Sequence, residues 1–484
     1  LKAKPLHEWL HSIKVAFVPG PTTGVLEEIF DNLLDRFQQN GHQIQAVPDD
    51  STDVLMTTAP FGRPLDWRKA FLFTARRRFG LKHTPTILTL MHVEPDRLES
   101  MLDHLVRILS EPEPDPKDLD FAGMAPESWH TLLEQGRRGG PIMALLRVLQ
   151  AQSKSIRILL VVGKNHPEYV YLFDLVGSFP RSEASSPQAF YDDIVHRIAT
   201  VASTQEITDH QVVGGVIPRE RWNSLSTPQA MRRAGQELGK RNFFTEMVMI
   251  ERLVHVPAVS DAVASQYSEG CFATWEPGLS ALLSTVTGSS RPVDKASLSQ
   301  DDLAVIVGVR SDGRGAVVRY VEGHRNDPPS SEAVEMIDMD TVLPRIPLRE
   351  SSETIQEVPV ARSKLHGHRG ISAYDPRSIE FVPLDPAYYH YPVSCATRGQ
   401  AIGIKTAFSR SQALLRPDDP RHVVFTVLPG HGVVIVEKWV AGKAPFQAIW
   451  EAMDRGELQV SSRIPQGLMT YIPGANGRLV LSES

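Results

Sequence analysis

The residues best placed to hold a cation are His366 and His368, two positions apart in the run His-Gly-His. Alternate side chains on an extended strand leave the same face, so both imidazoles can share one ion. His431 lies between Gly430 and Gly432 at the start of the apolar run Gly-Val-Val-Ile-Val-Glu-Lys-Trp, where backbone can close around a small site. Three histidines with an open fourth position form a catalytic zinc arrangement, so Zn²⁺ is the expected cofactor. Spacing alone also allows His-Gly-His to be a polar surface loop, a reading that the glycine-flanked third histidine weakens.

Two further segments could supply the rest of a site. In Pro-Pro-Ser-Ser-Glu, 328–332, Glu332 offers a carboxylate for proton transfer, and Ser330 and Ser331 bring hydroxyls to the same turn. In Thr-Gly-Ser-Ser-Arg-Pro, 287–292, the Thr287 and Ser289 hydroxyls and the Gly288 amide could bind an anionic substrate terminus, with Arg291 or Arg369 adding a bidentate contact. Ser-Ser-Glu before an apolar residue is also good helix-capping chemistry, and as an isolated motif the cap is the stronger reading.

The elements that position these residues fall into two textures. From Lys14 to Gly41 the chain reads as an apolar strand, a glycine-rich turn and a helix ending at a glycine, followed by short strands at 42–50 and 53–62 and a buried-strand pattern at 85–93. The acidic, proline-rich run at 111–120 reads as a connection, and a second strand-and-helix unit opens near Ile156. From about residue 257 short strands alternate with Gly and Pro turns. The expected fold class is α/β: doubly wound, Rossmann-like units at 1–120 and 121–256, then an α+β domain at 257–484. The turn Gly-Pro-Thr-Thr-Gly, 20–24, could cradle a phosphate at a helix N-terminus, and Gly-Lys-Asn-His, 163–166, could touch a ligand; a tight turn and a solvated loop are the plainer readings.

Taken in order, Gly-Cys-Phe-Ala-Thr-Trp-Glu-Pro-Gly (270–278), the 287–292 and 328–332 segments, His-Gly-His and Pro-Gly-His-Gly (429–432) resemble the class II aldolase/adducin family over the C-terminal two-fifths of the chain. The resemblance implies an aldolase-like C-terminal domain and a metal-dependent lyase that makes or breaks a carbon–carbon bond in a small hydroxylated, sugar-like or phosphorylated carbonyl compound through a zinc-stabilised enediolate. It places the metal on His366, His368 and His431, acid/base chemistry on Glu332, and substrate contacts on Gly270, Thr274, Thr287, Gly288, Ser289, Ser330 and Ser331. The chain departs from the family pattern at Cys271, Met336 and Glu437, where an asparagine, a histidine and a glycine are usual. Those departures support an alternative, a non-catalytic binding module of the adducin type. A weaker resemblance, to sugar isomerases of the arabinose/fucose type, would use Glu276 and Asp294 with His431 around Mn²⁺.

Composition sets the bounds. At 484 residues the chain exceeds one ordinary core, and 42% apolar with 22% charged residues is the balance of a globular enzyme-sized protein. A net charge of −6 without a basic block argues against nucleic acid as a partner. Two cysteines, Cys271 and Cys395, make no disulfide framework and fit a reducing compartment. The apolar runs are too short for a membrane span, so the expectation is a cytoplasmic homo-oligomer acting on a small molecule, with no membrane partner.

Overall fold

The computed structural model describes residues 12–18, 23–60, 85–95, 156–174, 177–203, 207, 209–241, 243, 270–287, 293–349, 355–390, 397–429, 431–461 and 469–482. The chain has mixed α/β content, with parallel and antiparallel pairing in both large sheets. The 20–22 turn, the 111–120 run, Gly288, Ser289, Arg291 and Cys395 lie outside the described residues.

The first sheet holds β1 (Lys14–Val18), β2 (Gln43–Gln45), β3 (Val54–Pro60), β4 (Thr86–Val93), β5 (Ile156–Val162), β6 (Tyr169–Asp174) and β7 (Gly177–Pro180) in the order β2-β1-β3-β4-β5-β6-β7. The first five strands of that order run parallel, and β5-β6-β7 continue as an antiparallel meander. Helices α1 (Gly24–Gln39) and α2 (Pro187–Ala202) cover one face. Ile29, Leu33 and Phe37 of α1 and Ile194 and Ile198 of α2, at helical spacing, bury against Val15, Leu88, Leu159 and Val161 of the sheet. A bidentate ion pair between Arg36 and Asp192 joins the two helices. Because β5 pairs with β4 along its whole length, the strands on either side of residue 120 belong to one sheet, not to two separate units. Inter-strand hydrogen bonds decide this, and a local composition shift cannot report them.

The second sheet builds the site. It holds β8 (Gln211–Val212), β9 (Cys271–Glu276), β10 (Ala281–Thr285), β11 (Leu303–Val309) and β12 (Ala316–Arg319). A separate hairpin follows, β13 (Arg345–Arg349) with β14 (Ile355–Pro359), and then the sheet resumes with β15 (Ala361–Gly367). After β16 (Ile371–Tyr374) come β17 (Ile379–Phe381), β18 (Val423–Leu428) and β19 (Gly432–Lys438), giving the order β17-β18-β19-β15-β9-β10-β11-β12-β8. β16 joins β20 (Leu458–Val460), β21 (Tyr471–Pro473) and β22 (Leu479–Leu481) in a small sheet.

The central strands β9, β10, β18 and β19 are buried along their whole length, which matches a sheet covered on both faces. On one face α3 (Thr227–Lys240) packs with Phe272, Leu283, Leu365 and Ile435. On the other, α4 (Ser331–Asp338) packs against Cys271, Ala273 and Leu282. Beside it, α5 (Arg398–Phe408) covers Val424, Val434 and Val436. β8 and α3 belong to this sheet and its core, although the change of texture in the sequence comes only near 257. Among the described residues no helix is long and apolar enough to cross a membrane.

Candidate metal centre

His366 lies in β15 between β9 and β19, opposite Cys271 on one neighbour and Val434 on the other. Paired residues share a face, so His366, Cys271 and Val434 all point toward α4 and α5. His368 follows two residues later on the same side, and His431 occupies the turn between β18 and β19. Two glycines allow this closeness. At Gly270, with φ +79°, a Cβ would stand 2.5 Å from the His366 carbonyl oxygen, and at Gly432 one would stand 1.9 Å from that of Gly367.

The three rings converge. The His431 Nε2 is 3.2 Å from the His366 Nε2 and 3.2 Å from the His368 Nε2. One ligand atom from each ring falls within 4.8 Å of the others, and among the described residues this is the one such cluster of histidine, cysteine or acidic groups. His366 and His431 are buried, while His368 is half-buried and marks the side open to solvent.

Hydrogen bonds on the far side of the rings fix their tautomers. The His366 Nδ1 is 3.1 Å from the Val433 carbonyl oxygen, an atom that can only accept, so Nδ1 carries the proton and Nε2 presents its lone pair to the cluster. The His431 Nδ1 is 3.4 Å from the Gln400 Oε1, and the Gln400 Nε2 donates to the Glu335 carboxylate at 3.2 Å. Gln400 sits in the first turn of α5, where its backbone N–H donates to the Thr397 hydroxyl at 3.4 Å. Glu335 is buried in α4, three residues after Glu332 and on the same side of that helix.

The serine and threonine segments lie side by side. Val286 and Pro329 form an antiparallel bridge, and the Thr287 N–H donates to the Pro328 carbonyl at 2.8 Å. Ser330 is the N-cap residue of α4, as the capping reading expects, yet its hydroxyl makes no cap bond and donates to the Glu332 carboxylate instead. The Ser331 hydroxyl lies 3.4 Å from the same carboxylate oxygen. Ser330, Ser331 and Glu332 therefore form one buried polar unit. Glu332 is close enough for its charge to act on Cys271, the residue paired with His366, whose Sγ lies 3.9 Å from the Met336 sulfur. Burial first, and then the negative charge of Glu332, push the Cys271 thiol well above its ordinary range, so it stands here as a neutral apolar filler.

Two expectations need correction. Thr274 is three residues beyond Cys271 and so leaves the opposite face of β9, where its hydroxyl meets the Arg362 carbonyl and the Ser363 hydroxyl, each at 3.2 Å. It is a buried sheet contact away from the histidines. Gly270, at the head of β9, offers that strand a close approach to β15 beside His366. The acidic set of the isomerase reading does not assemble. Glu276 accepts from the Gly278 N–H at 2.7 Å, and Asp294 accepts from the Ala296 N–H at 2.9 Å and the Ser297 hydroxyl at 2.5 Å, each closing its own turn. Glu437, at the position where the family has glycine, accepts from the Phe446 and Ala448 N–H groups at 2.6 and 2.7 Å. It thereby holds the N-terminus of α6 (Gln447–Asp454). Lys164, Asn165 and His166 are exposed, as a solvated loop should be, and Arg369 is half-buried directly after His368.

Gln400 and Glu335 were not singled out in the sequence. The available signal was a glutamine at the spacing of Gly403, Ile404 and Ala407 on the apolar stripe of α5, and a second glutamate set between the apolar pairs Ala333–Val334 and Met336–Ile337 of a short helix. Comparison of the chain with protein-family models, with curated proteins and with solved structures finds no match.

Proposed function

We propose that the chain is a metal-dependent lyase of the class II aldolase type, holding Zn²⁺ on His366, His368 and His431. The observation that carries this reading is the convergence of three imidazoles on one point: the His431 Nε2 stands 3.2 Å from both the His366 and the His368 Nε2, all three rings offer a ligand atom within 4.8 Å of one another, and His366 and His431 have tautomers that turn a lone pair inward. Lone pairs at that distance repel unless something positive lies between them. A single proton serves one such pair, whereas one cation serves all three. Zinc–nitrogen bonds of roughly 2.0–2.1 Å at tetrahedral angles put neighbouring nitrogens roughly 3.3–3.4 Å apart, which the observed spacing fits. An all-imidazole set favours zinc over the manganese that carboxylate ligands would select.

A divalent cation here would supply Lewis acidity, polarising a carbonyl and stabilising the negative charge that develops beside it when a carbon–carbon bond breaks. The protein's own groups do the rest. Glu332 moves the proton, with the Ser330 and Ser331 hydroxyls holding its carboxylate in place. Thr287, its N–H held by the carbonyl of Pro328 four residues before Glu332, is suited to an anionic end of a small hydroxylated substrate. In this reading the C-terminal sheet is the aldolase-like domain, and the mixed sheet before it is a Rossmann-like, doubly wound unit that shapes the assembly or the substrate cleft.

The test is elemental analysis of protein stripped with chelator and reloaded, followed by a cleavage assay over short hydroxylated aldehydes and ketones. One zinc per chain in the wild type, little in His431→Ala, and retained zinc with a loss of about 10²- to 10⁴-fold in rate for Glu332→Gln would support the reading. Equal metal content in wild type and His431→Ala would overturn it.

A further inference from the structure

We propose that Gln400, oriented by Glu335, is a positioning residue that locks His431 in the tautomer with its proton on Nδ1. The inference rests on the metal reading above for its purpose, though not for its geometry. An amide offers an acceptor on one side and two donors on the other, so Gln400 could face His431 with either end. Glu335 decides which. Its carboxylate oxygen, 3.2 Å from the Gln400 Nε2, accepts hydrogen bonds, so the amide nitrogen must turn toward it and the amide oxygen toward His431. That oxygen, 3.4 Å from the His431 Nδ1, then requires a proton on Nδ1. The Nε2 of His431 is left with its lone pair directed at His366 and His368.

The opposite amide orientation would place a donor against Nδ1, move the imidazole proton to Nε2, and aim that N–H into the cluster where a cation must bind. Polarity thus runs one way along the chain from Glu335 through Gln400 to His431. His366 reaches the same result more simply, since the Val433 carbonyl cannot be turned round. The two buried ligands are therefore set by different means: one by fixed backbone, the other by an amide that is only as well oriented as its carboxylate neighbour. Both Gln400 and Glu335 are buried, so water competes little for these bonds.

The experiment measures zinc affinity by competition with a chromophoric chelator at fixed pH, and histidine-selective ¹⁵N spectra of the metal-free full-length chain. Gln400→Leu, close in volume, should weaken zinc by about 10- to 100-fold and leave the His431 ring in mixed tautomers. Gln400→Glu with Glu335→Gln reverses the partners while keeping an acceptor against Nδ1, and should restore both the affinity and the Nδ1–H signature. A zinc affinity for Gln400→Leu equal to wild type would overturn the inference while leaving the metal site standing. If wild type bound no zinc, the function proposed above would fall, and the ¹⁵N comparison would still decide this inference, an unchanged His431 tautomer in Gln400→Leu refuting it.

Discussion

Replacing Gly432 with alanine should empty the proposed metal site without touching any of its three histidines. The added Cβ would meet the Gly367 carbonyl oxygen at 1.9 Å and the His368 Cα at 2.7 Å, both backbone atoms at the end of β15, where the other two histidines lie. Ordinary contacts begin near about 3.4 Å, so β15 and the 431–432 turn must separate by about 1.5 Å. A bound metal tolerates ligand displacements of only about 0.2 Å. His431 would thus be withdrawn from His366 and His368, and Gly432→Ala should match His431→Ala in zinc content. The strain should also cost about 1–3 kcal/mol of stability, as overpacking usually does. The assay is elemental analysis after gel filtration, with circular dichroism to show that the sheet persists. Gly308→Ala is the control, because a Cβ there meets nothing within 4 Å. Wild-type zinc content in Gly432→Ala would refute the steric argument, and with it the claim that the glycine is there to let the strands close on the site.

Two further outcomes follow from buried and partly buried charges. The Lys364 ammonium, fully buried beside His366, lies 2.5 Å from the Asp340 carboxylate; burial lifts Asp340 above the usual carboxylate range and draws Lys364 below the usual amine range. Lys364→Met alone should cost about 3–5 kcal/mol by stranding Asp340, whereas Lys364→Met with Asp340→Leu should be close to neutral in denaturant titrations; an additive double variant would contradict the pairing. Asp419, gripped by Arg421 through bonds of 2.9 and 2.7 Å, has its pKa lowered to about 2 from 3.8. A depressed folded pKa means that the unfolded chain binds the proton more readily, so this stabilisation is complete above pH 3.8 and is lost as pH falls toward about 2. Asp419→Asn should flatten the acid limb of stability in that window, and an unchanged limb in pH-dependent thermal unfolding would count against it.

The histidine constellation was legible because period-two alternation on a strand is a local rule, and a glycine beside the third histidine signals crowded backbone. Thr274 was misjudged by the same rule left unapplied: three residues from Cys271 is an odd step, which turns the side chain to the far face. Gln400 and Glu335 stayed hidden because each looks like an ordinary polar residue of its own helix until α4 and α5 are brought together. The first sheet's strands and α1 were visible as apolar runs and helical spacing. That β4 and β5 would pair across the intervening stretch was not visible, since a parallel crossover leaves no mark in either strand.

The position of β15 between β9 and β19 also bears on how the site comes into being. His366 and His368 leave the ribosome together, but the imidazole that completes the cluster is 63 residues further on from His368. It arrives only when β19 docks on β15, a non-local pairing of the sort that sheet proteins make slowly. An unfolded or half-made chain therefore offers a cation two imidazoles on a flexible strand, a weak hold. Zinc in a refolding mixture would then prolong the life of the finished sheet without hastening its assembly.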